Sequence, residues 1–104
     1  MATTMFGKPR YSYLSEIVVF SPPSKVVEAV RILKREFRTA KTLAKKLRVA
    51  RATRLASNRA RASSRRESLT RREASRLRAV SAVYGRASVD MFDAYGELAI
   101  RMMR

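Results

Sequence analysis

Apolar residues return at alternating steps of four and three from Val26 through Val30, Leu33, Phe37, Ala40 and Ala44 to Leu47. That spacing places all seven on one stripe of a helix with near-heptad periodicity. The preceding "SPPSK" is a start signal, because Ser21 or Ser24 can accept a bond from an orphan amide and proline suits a first turn that has no use for its N–H. No Gly or Pro interrupts residues 24–84, and Leu55, Ala56, Ala60 and Ala62 prolong the helical pattern. The spacing therefore predicts one helix over about 24–62, although Arg51 falls on the stripe and weakens the register beyond Leu47.

A second stripe runs through Leu77, Val80, Tyr84, Ala87, Met91, Ala94 and Leu98, again at steps of three and four. Its start is marked by Thr70 and Glu73, which form a T-x-x-E capping box, with Leu69 placed to staple onto the first turn. A helix over about 70–103 follows, separated from the first by a loop near 63–69. So short a connection makes the helices antiparallel neighbours, and two matched stripes give them faces to share. Gly85 and Gly96 each cost about 1 kcal/mol in a helix interior. A break near Gly85, giving three helices, is the weak point of this scheme.

The first ten residues, "MATTMFGKPR", lack periodicity and contain Gly7 and Pro9, which reads as an irregular arm. The β-branched and aromatic run that follows predicts a short strand over Leu14 to Phe20, bounded by Pro22 and Pro23. No second strand offers to pair with it in cis, so it either lies on the helices as an extended segment or pairs with another molecule. The expected architecture is all-α: an extended arm with a short strand over 1–21, then an antiparallel hairpin of two long helices over 22–104.

Composition changes the picture from a fold to a function. Twenty-four Lys and Arg against eight Asp and Glu give a formal charge of +16, which works against folding by self-repulsion unless a polyanion neutralises it. The charge is uneven. Residues 1–47 carry ten bases and three acids, residues 48–78 eleven and two, and residues 79–104 three and three. In a hairpin, the middle block is the turn and its flanks, so one end would bind and the neutral segment would pack.

Two groups of cations stand out. Arg31, Lys34, Arg38, Lys41, Lys45 and Arg48 step by three and four along one face of the first predicted helix. Glu28 and Glu36 are the only acids in that helix and neither has a base four residues ahead of it, so the face is not the mixed-sign surface that solvation alone favours. The turn adds Arg51, Arg54, Arg59, Arg61, Arg65, Arg66, Arg71 and Arg72. Guanidinium forks suit phosphate oxygens and stack on exposed bases. Asn58 and the small residues between these arginines let the backbone approach a groove closely. Tyr11 and Tyr13, beside Lys8 and Arg10, are candidates either for base stacking or for covering the helix pair.

The chain has no Cys and no His, which removes the usual metal ligands and the side chain that most readily moves protons near neutral pH. No enzyme activity, metal or cofactor is expected. No apolar run is long enough to span a membrane and the N-terminus lacks a signal-peptide layout, so the expected setting is cytoplasmic. No recognition-helix signature or zinc spacing points to base-specific reading of a major groove. The leading reading is a structural nucleic-acid-binding protein, with RNA favoured over DNA, of the kind found in ribosomes and other ribonucleoproteins. The partner in the 79–104 segment would be a neighbouring subunit or a second copy. The alternatives are a DNA-coating chromatin or nucleocapsid subunit and a basic adaptor for acidic protein surfaces.

Overall fold

A computed structural model describes Leu14, Ile17 and residues 18–103 of the chain. It is mainly helical: α1 spans Pro23–Thr39, α2 Leu43–Ser63 and α3 Arg71–Met102. No strand occurs among the described residues. Within the segment expected as a strand, Leu14 and Ile17 are helical and residues 18–20 have no regular structure. The expected arm over residues 1–13, with Tyr11 and Tyr13, lies outside the described residues.

The single helix expected over 24–62 is instead two. Ala40 leaves the helical region at φ −61° and ψ 131°, and Thr42 caps the new helix by accepting a bond from the Lys45 amide at 3.1 Å. The buried faces explain the break. α1 buries Val26, Ala29, Val30, Leu33 and Phe37, whereas α2 buries Val49, Ala50, Ala52, Thr53, Ala56, Ser57 and Ala60. In an unbroken helix, at about 100° per residue, Val49, Thr53, Ala56 and Ala60 would lie about 150° around from Val26, Leu33 and Phe37. One straight helix cannot turn both faces to the same core. The chain stops, and Lys46 closes the end of α1 by donating to the Phe37 and Arg38 carbonyls at 2.8 and 3.2 Å while its ammonium lies 5.0 Å from the Phe37 ring centre. The first stripe thus holds as far as Phe37. Ala40 and Leu47 are half-buried and Ala44 is exposed.

At its own start α1 uses neither expected serine. Pro22 is the N-cap without a side-chain bond, and Pro23 occupies the first turn, where the absence of an N–H costs nothing.

α3 runs unbroken through Gly85, so the break expected there does not exist. Its first turn is held by the reciprocal capping box: the Thr70 hydroxyl accepts from the Glu73 amide at 3.1 Å and the Glu73 carboxylate from the Thr70 amide at 3.0 Å. These bonds, with Arg76 nearby, hold the Glu73 carboxyl below its ordinary value. Its capping contribution is therefore present at neutral pH and is lost as pH falls through that lowered value. Val80, Tyr84, Ala87 and Met91 of the second stripe are buried, while Leu77, Ala94 and Leu98 are half-buried. At 1.5 Å per residue α3 is about 48 Å long, nearly the whole of the molecule's 51 Å long axis.

The most extensive helix contact joins α2 to α3. Ser57 lies opposite Ser81 and Thr53 opposite Met91, so the two helices run in opposite directions. Where the helices meet at Ser57, Ser81 and Gly85 the side chains are small, which lets the backbones close in. Ser57 donates to the Ser81 carbonyl at 2.7 Å and Ser81 returns a bond to the Ser57 carbonyl at 2.8 Å. Gly85 faces this pair: a Cβ on it would stand 3.0 Å from Ser57 Oγ. The glycine is there because two helices meet at it.

Tyr84 fastens the segment before α1 to the bundle. Its ring is fully buried, and its hydroxyl donates to the Val19 carbonyl at 2.6 Å and accepts from the Val19 amide at 3.1 Å. Phe20 meets the ring edge-on at 6.5 Å between centroids. Burial raises the Tyr84 hydroxyl above its ordinary pKa, opposed in part by the Val19 bond.

Three substitutions test these contacts. A Cβ on Gly96 would meet no atom within 4 Å, so Gly96→Ala should raise stability by about 1 kcal/mol in thermal unfolding. Gly85→Ala should lower it, because the hydrogen-bonded Ser57 hydroxyl cannot yield and overpacking costs about 1–3 kcal/mol. Equal gains at both sites would contradict the close approach. Tyr84→Phe should cost about 1–3 kcal/mol by leaving the Val19 backbone groups unpaired. Because the Tyr84 pKa is raised, its advantage over Phe should be full below about pH 10 and shrink as pH rises through the higher folded value. An advantage that does not change between pH 8 and 11 would contradict that placement.

Candidate nucleic-acid interface

All fourteen cations singled out by the sequence are exposed. The α2 set owes this to its small-residue core face: with Ala52, Ala56 and Ala60 turned inward, Arg51, Arg54, Asn58 and Arg61 stand together on the outer side at helical spacing. Burying that face needs no long apolar side chains, so the outer positions are free for arginine.

The structure gathers these cations around three concave sites. At the end of the bundle near the α2–α3 loop, Arg61 and Arg65 meet Arg78 around a cavity of about 390 Å³ whose other walls are Ser64, Ser81 and Ala82. At the opposite end of α2, Lys41, Lys45 and Arg48 border a cavity of about 590 Å³ with Thr39, Ala40, Val49 and the single acid Glu36. Between them, Arg51 and Arg54 rim a cavity of about 450 Å³ together with Leu47, Leu55, Asn58 and Phe92. Arg59, Arg66, Arg71 and Arg72 are exposed around the loop but line none of these three cavities, and neither do Arg31, Lys34 and Arg38 on α1.

One sequence expectation changes. The six-cation face from Arg31 to Arg48 is not one helical face, because the break after Thr39 leaves Arg31, Lys34 and Arg38 on α1, Lys41 in the connection, and Lys45 and Arg48 on α2. The neutral segment of α3 lies along basic α2, with the Arg54 guanidinium 5.5 Å from the Phe92 ring centre, and the basic cavities sit at both ends of α2, which is about 30 Å long.

Three residues escaped the sequence reading. Arg78 joins Arg61 and Arg65 only because α3 returns past α2, and nothing in its own spacing signals that. Phe92 lies off the second stripe and carries no signal of its own, yet it is half-buried and meets a guanidinium. Lys46 looks like one more surface cation but caps a helix end. Among the described residues no helix is long and apolar enough to cross a membrane, and no group of three or more Asp and Glu stands where it would hold a metal ion. The chain has no match among protein-family models, curated proteins or solved structures.

Proposed function

We propose that the protein is a structural nucleic-acid-binding protein, a component of a ribonucleoprotein of the ribosomal kind, that grips phosphate backbone through the arginines of α2 and the loop after it. The observation that carries this reading is the joint exposure of Arg51, Arg54, Arg59, Arg61, Arg65 and Arg66 on a helix and loop whose cavities there contain no acid. A face that served solvation alone would interleave both signs. Phosphate oxygens match guanidinium forks in both charge and geometry. The mild, neutral outer side of α3, where Val89 and Ile100 are exposed, suits a neighbouring protein subunit or a second copy of this chain. The setting is intracellular, where such a polyanion is found.

Affinity for nucleic acid should fall steeply with salt, with log affinity against log salt sloping at about −5 to −9 on a duplex if six to ten cations meet phosphates, and less on single strands. Changing Arg59, Arg61, Arg65 and Arg66 together to Ala should make the slope shallower by about three and leave helicity intact, since exposed substitutions shift stability by under about 0.5 kcal/mol each. Arg86 and Arg101, exposed in the neutral 79–104 segment of α3, are the control pair. Equal damage from control and test variants would turn the reading towards a diffuse DNA coat. A slope near zero would turn it towards an adaptor for acidic proteins.

A further inference from the structure

The middle cavity differs in chemistry from the other two. Its rim is Arg51, Arg54 and Asn58, which share one face of α2 with the half-buried Leu47 and Leu55, and its far wall is Phe92 of α3. A pure phosphate grip has no use for an aromatic ring and two leucines. An apolar partner, for its part, gains nothing from two exposed guanidiniums and the chain's only asparagine. A nucleobase uses every part: its flat faces are apolar and polarisable, its edge carries donors and acceptors, and its phosphate lies one sugar away.

We infer that this cavity takes an unpaired nucleobase of single-stranded RNA, resting on the phosphate-binding reading above. The Arg54 guanidinium already lies over the Phe92 ring, 5.5 Å from its centre, within the range of cation–π attraction. Guanidinium planes and aromatic rings are both surfaces on which an unpaired base stacks. The Asn58 amide carries one acceptor and two donor hydrogens for the base edge. Arg51, one turn before Arg54 on the same face, reaches the flanking phosphate. Asp93 follows Phe92 in the chain but does not line the cavity, so the lining itself holds no carboxylate. A volume of about 450 Å³ falls in the range of sites that bury small ligands. A base paired within a duplex has its faces covered by its neighbours and cannot enter.

The test is binding of the full chain to a fluorescently labelled unpaired RNA oligomer and to an RNA duplex of equal length, each across a salt series. Phe92→Leu keeps aliphatic bulk against the core and removes the ring. It should weaken binding of the unpaired oligomer by roughly fivefold to hundredfold, the range for one stacked base. Duplex affinity should change by less than about twofold, and the salt slope of both should stay the same because no cation is lost. Phe92→Met repeats the test if Phe92→Leu unfolds: it fills the space with a flexible unbranched chain but supplies no ring, and the same selective loss is expected. Equal weakening on both oligomers, or no weakening on either, overturns the stacking site. If the unmodified protein binds both with a steep salt slope while both variants match it, only this inference falls. If the unmodified protein binds neither, the phosphate-binding reading falls with it.

Discussion

The close approach of α2 and α3 at Ser57, Ser81 and Gly85 is the constraint on which the rest of the structure depends. Bringing two helices within reach of each other's backbone requires small side chains on both, and α2 answers with Ala52, Ala56, Ser57 and Ala60. Such residues bury little apolar area, so they contribute little hydrophobic free energy for their number. The serine hydroxyls compensate by donating across the seam, each to the other's carbonyl. The bulky part of the core comes from elsewhere: Leu33 and Phe37 of α1, Leu14 before it, and Tyr84, Val80 and Met91 of α3. The break after Thr39 exists because α1 must deliver that bulk from a different direction than α2 presents its alanines.

The same constraint shapes the electrostatics. A helix buried through alanine and serine on one side can carry arginine on most of the remainder, and α2 with its following loop does so from Arg48 to Arg66. Concentrated like charge opposes folding, and cations border cavities at both ends and in the middle of α2. The neutral 79–104 segment lies behind it as a low-charge backing. An anion that fills those cavities relieves the repulsion and stabilises the fold that presents them, so binding and folding are linked through one set of side chains.

Much of this was legible in the sequence because it rests on local pattern. The stripe from Val26 to Phe37 is a bulky apolar repeat with polar residues between, and Thr70 with Glu73 is a cap whose two halves lie three residues apart. The exposed cations were legible because a long charged side chain has no place in so small a core. What escaped depends on contacts between segments distant in sequence. Gly85 read alone is a poor helix former, and only the Ser57 hydroxyl opposite it shows why no larger residue fits. The end of α1 carries neither Gly nor Pro, and Thr42, the N-cap of α2, is followed three residues later by Lys45 where a capping box would place Glu or Gln, so the start of α2 was hidden. Ala56 and Ala60 continued the helical pattern without revealing that their face had rotated away from that of Leu33. Arg78 and Phe92 become part of an interface only when α3 is laid against α2.

The central claim is that the outer face of α2 and the loop beyond it are where a polyanion meets this molecule. Arginine footprinting tests it most directly: the full chain is treated with a dicarbonyl reagent with and without bound RNA, and modification is read at each arginine by mass spectrometry. The account predicts strong protection at Arg51, Arg54, Arg59, Arg61, Arg65 and Arg66 and unchanged modification at Arg86 and Arg101. Protection spread evenly over all of these, or centred on Arg86 and Arg101, would contradict it.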